Sequence, residues 1–397
     1  MHVAIVGAGP AGSSAATFLA RAGAKVTLLE RAHFPRDKVC GDGLTPRSLW
    51  MLEELGLVAR DAGPPAGGQA ISRVYLASPG GVVVKAPMPA HVFGGRSAVV
   101  PRELLDQQLV QLATKAGATL REGVMVEGLA LDEGGVTVSV RGGEPVRADV
   151  VLGCDGAPSV VRKALGAPDF PDEDAAFAVR VYYEGLSLSH PDAYAIFWEG
   201  ELLPAYGWIF PLPNGRANVG VGLRTDRMRK AGLKLPELLD RFCAMPRASA
   251  ELAGGQRVGR VRGHHLPFGT FARHLVWDRC LLLGDAAGFI NPLTGEGIEF
   301  ALESGKLAAE TLVDAEGAGG FSRAHLAPYE RRCSERFTHA FRQNGKLQRV
   351  FEHPRLIDNL MRSANRSQRV LDDLASVLLG EAPRVGPRLV AAVALGV

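Results

Sequence analysis

The order of hydrophobic and polar positions in the first thirty residues predicts a strand, a turn, a helix and a second strand. Apolar residues dominate 2–6, glycines recur over 7–12, and 11–22 has the composition of a helix. A second apolar run, 25–29, ends in Glu30. Short apolar runs bounded by turn residues are typical of buried strands. The pattern therefore indicates the start of an α/β sheet.

Hydrophobic and polar residues alternate in the second half of the chain. Residues 178–183 and 217–222 follow this alternation, which is typical of half-buried strands. Tyr206, Trp208 and Phe210 occupy every second position of another segment and should face one side of a strand. We expect an antiparallel sheet there that forms one wall of a pocket.

Three glycines in the first turn indicate a ligand. In Gly7-Ala8-Gly9-Pro10-Ala11-Gly12, Gly7 would make the turn, Gly9 would let the backbone approach a pyrophosphate, and Gly12 would allow close packing of helix on strand. The helix N-terminus would bind the phosphates, and Glu30, about 20 residues further on, would bind ribose hydroxyls. The unit predicts a dinucleotide, either NAD or FAD.

Later glycine segments favour FAD over NAD. Cys154-Asp155-Gly156 and 284–288 each follow an apolar run, and 291–298 then leads into a helix-like stretch. A carboxylate at a strand end can bind a ribose or ribityl hydroxyl, and a glycine-bounded helix start can face a second phosphate or the flavin ring. An NAD enzyme would not need this second set. The alternative interpretation is that these segments are ordinary turns at strand ends.

Together these segments resemble the flavoprotein hydroxylase and geranylgeranyl reductase superfamily. Arg102, ahead of a helical run, is similar to the family arginine that contacts the pyrophosphate. Asp155-Gly156, followed by Ser159 and Arg162, is similar to the second family motif. The resemblance implies FAD as the cofactor. It implies the following cofactor-binding residues: Gly7, Gly9, Ala11, Gly12, Glu30, Arg31, Cys40, Gly41, Arg102, Val126, Asp155, Gly156, Asp285, Gly295, Gly297 and Ile298.

Two further stretches resemble the geranylgeranyl reductase branch, which includes reductases of prenyl lipids and menaquinone. Residues 34–47 contain Cys40-Gly41-Asp42-Gly43 and are similar to the family's Cys-Gly loop, whereas 205–211 are similar to its Tyr-x-Trp-x-Phe-Pro substrate motif. The resemblance is close up to about residue 315. It departs from many lipid reductases at Asp42, where they carry glycine, and at Pro204 in the lead-in to the aromatic motif. It implies that Tyr206, Trp208 and Phe210 bind the substrate and that Cys40 lies beside the flavin.

Length and composition agree with more than one hydrophobic core. The chain has 397 residues, of which 47% are hydrophobic, and this exceeds what one ordinary core takes up. We expect an α/β protein in which a Rossmann-like FAD-binding domain is interleaved with an antiparallel-sheet substrate domain, followed by a C-terminal helical region. The expected segments are 1–75, 96–165 and 265–320 for FAD, 76–95 and 166–264 for the substrate, and 321–397 for the helices.

The C-terminal region differs in charge from the rest. Residues 321–397 hold 13 Lys/Arg and 7 Asp/Glu, net +6, so residues 1–320 carry −3 of the total of +3. Apolar residues between 356 and 378 have largely helical spacing with arginines between them, and 389–395 is apolar. A basic amphipathic helix can lie on an anionic membrane surface, although such helices more often pack on a core. We expect either peripheral membrane contact or a helical pair packed on the FAD domain.

The remaining composition narrows the location and excludes several classes of site. No apolar run reaches the roughly 18 residues that span a bilayer, and the chain starts directly in a strand, so we expect a cytoplasmic protein, with or without contact to the inner face of the cell membrane. Five cysteines show neither metal-ligand spacing nor a disulfide framework, which favours a reducing compartment and no structural metal. A basic tail without a recognised module does not indicate nucleic-acid binding.

Cys40 is the cysteine with a chemical role to consider. Arg36 and Lys38 lie beside it and should lower the thiol pKa from about 8.5. An isolated prenyl C=C bond has no carbonyl to withdraw charge, so its reduction needs a proton on one carbon as reduced flavin delivers a hydride to the other. We expect Cys40, directly or through water, to donate or position that proton. Alternatively, Cys40 only packs the loop.

The expected function is an FAD-dependent reductase that saturates isoprenoid C=C bonds of a prenyl lipid or quinone. The same scaffold supports monooxygenases, halogenases and other tailoring enzymes of secondary metabolism, although the chain has no Trp-x-Trp-x-Ile-Pro segment of the halogenase type. A membrane-associated redox sensor without turnover is a third interpretation, supported only by the basic tail. No second glycine motif for a nicotinamide is visible, so NAD(P)H would dock transiently or a ferredoxin, flavodoxin or quinone-linked donor would supply electrons.

Overall fold

The opening unit has the predicted arrangement. The computed structural model describes residues 1–60, 62–199, 202–203, 205–379 and 391–394. It begins with β1 (His2–Val6), α1 (Pro10–Arg21) and β2 (Lys25–Leu29). β1 and β2 pair in parallel from His2 opposite Lys25 to Val6 opposite Leu29. Parallel strands need a crossover connection, which α1 provides.

The remaining elements follow in chain order. They are β3 (Gly43–Leu44), α2 (Pro46–Leu55), β4 (Gln69–Ile71), β5 (Arg73–Ala77), β6 (Val83–Pro87), β7 (Ser97–Val99), α3 (Arg102–Lys115), β8 (Thr119–Arg121), β9 (Val126–Asp132), β10 (Gly135–Val140), β11 (Val146–Ala148), β12 (Val150–Gly153), α4 (Val160–Ala164), β13 (Ala175–Glu184), β14 (Ala193–Phe197), β15 (Tyr206–Leu212), β16 (Arg216–Arg224), α5 (Thr225–Ala231), α6 (Leu235–Ala244), α7 (Pro246–Glu251), β17 (Gln256–Pro267), β18 (Val276–Trp277), β19 (Cys280–Leu282), α8 (Gly284–Ala287), α9 (Ile298–Gly317), α10 (Arg323–Cys333), α11 (His339–Val350), α12 (Pro354–Arg366) and α13 (Gln368–Leu378).

The first large sheet is mainly parallel and joins distant parts of the chain. Within the described residues its strand order is β18-β19-β12-β1-β2-β8, and only the β18–β19 pair at one edge is antiparallel. Helices α1 and α9 pack closely because small residues face each other. A Cβ added at Gly305 would lie 2.6 Å from the carbonyl oxygen of Ala11. Because β1, β12 and β19 are parallel neighbours, their carboxyl ends meet at one edge of the sheet, where ligands of such sheets bind.

The second large sheet is mainly antiparallel, as predicted. Its order is β17-β13-β16-β15-β14-β5-β6, and β14 runs parallel to β5. The sheet begins at Arg73 and ends at Pro267, rather than at 76 and 264, and the domain bounds stay a prediction. Helix α6 covers one face, where a Cβ on Gly207 would lie 2.6 Å from Phe242. Two small sheets, β3-β7-β4 and β11-β10-β9, complete the described strands.

Helices α12 and α13 of the C-terminal region pack on the antiparallel sheet, whereas α10 packs on α9 and β18. Ile357, Leu360 and Met361 of α12 share a core with Leu76 of β5 and Val84 of β6. The expectation that this pair packs on the FAD domain is wrong, because its apolar face meets β5 and β6 instead. The face is thereby buried and is not available to a membrane.

Two contacts fix this arrangement. The carboxylate of Asp358 accepts hydrogen bonds from Ser78 Oγ at 2.5 Å and from the N–H of Gly80 at 2.8 Å.

In the apolar segment 389–395, residues 389, 390 and 395 lie outside the described part of the chain, as does Pro204. Ala392 of that segment is buried in the same core. No described helix is long and apolar enough to cross a membrane.

Candidate functional site

A cavity of about 920 Å³ lies between the two large sheets. All but one of the predicted catalytic, substrate-binding and cofactor-binding residues line it, the exception being Gly12. These lining residues are Gly7, Gly9, Ala11, Glu30, Arg31, Cys40, Gly41, Arg102, Val126, Asp155, Gly156, Tyr206, Trp208, Phe210, Asp285, Gly295, Gly297 and Ile298. Residues separated by most of the chain therefore meet in one place.

The three glycines of the first turn have separate geometric roles. Gly7 has φ +97°, and a Cβ there would lie 2.3 Å from the carbonyl oxygen of Cys154. A Cβ on Gly12 would lie 2.0 Å from the carbonyl oxygen of Gly7. A Cβ on Gly9 would have only guanidinium groups nearby, Arg36 at 3.8 Å and Arg102 at 3.9 Å. Gly7 and Gly12 thus serve the turn and the helix packing, whereas Gly9 keeps the space on the cavity side open.

The two arginines beside Gly9 share one buried carboxylate. Asp106 accepts hydrogen bonds from Arg102 Nε at 2.7 Å and from Arg36 Nη1 at 2.7 Å. Burial alone would raise the pKa of Asp106, but the two guanidinium groups lower it below its ordinary value. With the N-terminus of α1, the arginines form a site suited to a diphosphate. The sequence predicted a cofactor contact for Arg102 but no role for Asp106. It indicated that Arg36 would lower the pKa of Cys40.

Glu30 is fixed at the end of β2. Its carboxylate accepts the N–H groups of Ala8 and Ala32, both at 3.1 Å, and lies 3.6 Å from the Arg36 guanidinium. Arg31 and Val126 line the same end of the cavity. This end is where we expect the adenosine of a dinucleotide.

The side chain of Asp155 caps a helix. Its carboxylate accepts Ser159 Oγ and the N–H of Val160, both at 2.6 Å, at the start of α4. Arg162 donates to the carbonyl oxygen of Pro168 at 2.5 Å and to that of Ala286 at 3.3 Å. These side chains therefore hold α4 and α8 together. Cofactor binding by Asp155 stays a prediction, as does that by its neighbour Gly156, which has φ +76°.

Asp285 at the start of α8 forms an ion pair with the Cys40 loop. Lys38 Nζ lies 2.9 Å from its carboxylate, and His264 Nε2 lies at 3.8 Å. Burial alone would raise the pKa of Asp285, but Lys38 and His264 hold it well below its usual range. An ionised carboxylate thus stands where we expect a ribityl hydroxyl.

The predicted lowering of the Cys40 pKa is wrong. Burial raises the pKa of this thiol, and the nearby charges of Arg102 and Lys38 lower it by less. Both cations next to Cys40 in the sequence have carboxylate partners elsewhere, since Arg36 binds Asp106 and Lys38 binds Asp285. The thiol therefore keeps its proton at neutral pH.

Asp42 ties the Cys40 loop to the antiparallel sheet. It is fully buried, and its carboxylate accepts Tyr182 Oη at 2.6 Å and Asn218 Nδ2 at 2.8 Å. Asn218 also donates to the Cys40 carbonyl oxygen at 2.7 Å and accepts from Trp208 Nε1 at 3.0 Å. Burial raises the pKa of Asp42 to about 6, outweighing these donors.

The aromatic residues of β15 lie on one face, as predicted. The ring centroids of Tyr206 and Trp208 are 6.0 Å apart, and those of Trp208 and Phe210 are 6.2 Å apart. A Cβ on Gly41 would lie 3.3 Å from Phe210, so the Cys40 loop passes directly over this face. Six further apolar residues line the cavity, most of them in one hydrophobic cluster with Tyr206, and we call this set its apolar arm: Val74, Ile196, Trp198, Leu293, Leu378 and Leu379.

Two carboxyl groups near the start of α9 were not predicted from the sequence. Glu296 lines the cavity, and Glu299 is fully buried behind it. Neither has an ion-pair partner in the described part of the chain. Burial raises the pKa of Glu296 to about 7 and that of Glu299 to about 8. The three- and four-residue spacing of Glu296, Glu299 and Glu303 around the start of a helix was the available signal.

Comparisons with known proteins agree with this geometry. The FAD binding domain family matches residues 1–344. Menaquinone reductase of Mycolicibacterium smegmatis is 36% identical over 335 residues, which cover 81% of this chain and 78% of that protein. Digeranylgeranylglycerophospholipid reductase 1 of Methanopyrus kandleri is 34% identical over 345 residues, or 85% and 87% of the two chains. A geranylgeranyl bacteriochlorophyll reductase-like protein from Thermoplasma acidophilum has a TM-score of 0.79 at 24% identity, over 100% of this chain and 96% of that one, which shows a shared fold.

Proposed function

This chain belongs to the FAD binding domain family and is an FAD-dependent oxidoreductase, and from that premise we propose that it saturates isolated C=C bonds in the prenyl chain of a lipid or quinone. The observation that carries the proposal is the apolar arm of the cavity beyond Tyr206, Trp208 and Phe210. Burial of a long apolar chain in such an arm is favourable. The names of the menaquinone and digeranylgeranylglycerophospholipid reductases support the same substrate class.

The described residues fit FAD. The open space over Gly9, between Arg36 and Arg102, would hold the pyrophosphate, and Glu30 would hold ribose hydroxyls. Gly295, where a Cβ would lie 3.1 Å from Tyr206 Oη, leaves room for a flat ring to approach the backbone. When bound and reduced, FAD supplies a hydride to one carbon of the double bond.

The residues around the apolar arm would bind and orient the prenyl chain. The prenyl chain would pack against Tyr206 and Trp208 of the aromatic face, whose π-electrons stabilise positive charge at a reacting carbon. Hydrogen bonds through Asn218 keep the Cys40 loop in register with this face. The neutral Cys40 thiol would donate the proton to the other carbon or position the group that does.

Substrate delivery and electron supply belong to the same proposal. A prenyl lipid resides in a membrane, and the apolar faces of α12 and α13 are buried, so contact would use their exposed arginines Arg355, Arg362 and Arg369. Such contact would be peripheral, on the cytoplasmic side. We propose NAD(P)H or a ferredoxin- or flavodoxin-type protein as the electron source.

An anaerobic single-turnover experiment tests the proposed function. The purified holoprotein is reduced with dithionite, and geranylgeranyl diphosphate or menaquinone is added in separate reactions. We expect the flavin to reoxidise without oxygen and the product mass to rise by two hydrogens for each reduced bond. If the flavin stays reduced until oxygen enters, prenyl reduction is wrong and an oxygenase or halogenase activity takes its place.

A pair of tryptophan variants locates the reaction. Trp208 lines the cavity, whereas Trp277 lies in β18 at the edge of the parallel sheet. Trp208→Leu should lose most of the prenyl-dependent reoxidation while retaining FAD, and Trp277→Leu should behave as the wild type. Equal rates for both variants would place the substrate elsewhere.

A further inference from the structure

Glu296 lines the cavity from a turn that hydrogen bonds hold in place. The proposed function gives its carboxyl group no role. The Glu296 carbonyl oxygen accepts the N–H of Asn291 at 2.8 Å, and Tyr206 Oη donates to the carbonyl oxygen of Thr294 at 2.7 Å. The Glu296 carboxylate accepts the N–H of Glu299 at 2.9 Å. Glu296 thus lies between Gly295 and Gly297, the glycines expected to face the flavin, in a turn that contacts Tyr206 of the aromatic face.

We propose that Glu296 is the acid that protonates the alkene and that Glu299 passes it a replacement proton from the far side of α9. This role rests on the proposed prenyl reduction. It makes Cys40 a positioning residue rather than the acid.

The surroundings of Glu296 contain little positive charge. The titratable and charged groups that face it come from five elements: Tyr194 of β14, Tyr206 of β15, Arg102 of α3, Asp285 of α8 and Glu299 of α9. Burial raises the pKa of Glu296 to about 7, with opposing contributions from backbone N–H groups and Arg102. An acid with a pKa near the working pH is the most efficient proton donor. Glu296 is a stronger acid than the Cys40 thiol and is about half protonated at neutral pH.

Glu299 is the next carboxyl group along the chain and lies in α9. Thr45 Oγ1 donates to Glu299 Oε2 at 2.6 Å, while Oε1 is buried without a hydrogen-bond partner in the described chain. Burial, followed by the charges of Glu296 and Glu303, raises the pKa of Glu299 to about 8. Glu303, one helical turn further, pairs with Arg47 at 2.5 Å and with Arg336 at 2.7 Å. Glu299 and Glu303 lie on one face of α9, and Glu303 links this face to Arg336, whose side chain is partly exposed.

The step balances with the reductant already proposed. The O–H bond of Glu296 breaks and its proton forms a C–H bond at one alkene carbon, while the hydride from reduced FAD forms the C–H bond at the other. The π bond is lost as the alkene gains two electrons, and the reduced flavin loses two electrons. Glu296 is left as a carboxylate and regains a proton through Glu299. The nicotinamide or protein donor then reduces FAD again.

Glu296→Gln tests the assignment by rate and by titration. Because general acid catalysis contributes about 10²- to 10⁴-fold, we expect anaerobic reoxidation by the prenyl substrate to slow at least about 100-fold. Infrared spectra of the oxidised holoprotein without substrate should show a carboxylic acid band that titrates near pH 7 and is lost in Glu296→Gln. Glu310→Gln, an exposed position on the same helix, should change neither the rate nor the band.

A second variant separates acid chemistry from the contact that Glu296 makes with the start of α9. Glu296→Asp keeps a carboxyl group and should recover part of the rate and a titrating band, with FAD content followed by absorbance. Equal rate losses in Glu296→Asp and Glu296→Gln, a wild-type rate in Glu296→Gln, or no band that titrates would each overturn the assignment. Failure of the wild type to reduce any prenyl substrate would instead overturn the proposed function, and this proposal with it.

Discussion

The two ends of the cavity hold their buried carboxyl groups in opposite states. At the end where we expect the cofactor, Asp106 and Asp285 each contact cations, and their pKa values are lowered. At the substrate end, Asp42, Glu296 and Glu299 lack ion-pair partners in the described chain, and burial raises their pKa values to about 6, 7 and 8. Asp42, Asp106 and Glu299 are buried, and Asp285 and Glu296 are half-buried, so the counter-ion decides the charge of each carboxyl group. The fold thus places fixed charge where we expect the cofactor, and protonated carboxyl groups where we propose that a proton is consumed.

The largest expected effect comes from removing the charge of Asp106. In Asp106→Asn, Arg102 and Arg36 lose the carboxylate that lies between them. Because a buried cation without its partner is costly, we expect the unfolding free energy of the apoprotein to fall by about 3–5 kcal/mol. We expect the pyrophosphate of FAD to supply negative charge at the same place, so the loss should be smaller at saturating FAD. Urea denaturation with and without FAD measures both values.

Glu103→Gln is the matched control for Asp106→Asn. Glu103 lies on the same helix, α3, but its side chain is exposed, so its replacement should change the unfolding free energy by less than about 0.5 kcal/mol. An apoprotein of Asp106→Asn that is as stable as Glu103→Gln would show that the two arginines do not depend on this carboxylate.

At the substrate end we expect removal of a carboxyl charge to raise the unfolding free energy rather than to lower it. The folded-state pKa of Glu299 is raised from 4.5 to about 8, so the stability it allows is fully present below about pH 4.5 and is lost as the pH rises through 8. Glu299→Gln removes this penalty. We expect the variant to be more stable than the wild type by about 2–4 kcal/mol at pH 8.5 and nearly equal to it at pH 5, since each shifted pKa unit is worth about 1.4 kcal/mol. Denaturation of the apoprotein at both pH values provides the test.

Glu303→Gln serves as the contrasting variant on the same helix face. Glu303 is ion-paired with Arg47 and Arg336, so removal of its charge should lower stability at pH 8.5, by about 1–3 kcal/mol. Should both variants shift stability in the same direction, the contrast between paired and unpaired carboxyls would not hold.

Local geometry accounts for what the sequence could predict. The roles of Gly7 and Gly12 follow from a turn within six residues, and the alternation of Tyr206, Trp208 and Phe210 follows from strand period alone. Both features need no knowledge of distant partners. The parallel unit and the aromatic face were accordingly predictable from the residues themselves.

Charge states were not predictable in this way, because they depend on long-range contacts. Arg36 and Lys38 neighbour Cys40 in the sequence, but Asp106 and Asp285 engage them in the fold. The expected low thiol pKa failed for this reason. The packing of the C-terminal tail was not predictable for a similar reason. An amphipathic helix pattern does not determine which core its apolar face contacts, which here is the core formed with β5 and β6.

The smallest effect expected is the coupling between Lys38 and Asp285. Removing the cation with Lys38→Met should raise the pKa of Asp285 and make this carboxylate resemble those at the substrate end. A double-mutant cycle with Asp285→Asn should give a coupling of about 1–2 kcal/mol, reduced because Lys38 is partly exposed and His264 remains nearby. Urea denaturation of the four apoproteins between pH 5 and 8 measures it.

The pH dependence of that coupling distinguishes a fixed charge from a titrating one. The pKa of Asp285 is lowered in the folded protein, so the stability from the pair is present above the unfolded-state pKa and is lost only as the pH falls through the folded one. The coupling should therefore be constant from pH 5 to 8, the range in which Glu299→Gln changes most. The exposed pair of Arg147 and Asp132 should show a weaker coupling that salt removes. If the Lys38 coupling instead varied across this range, Asp285 would titrate as Glu296 and Glu299 do, and the cavity would have no end with fixed charge.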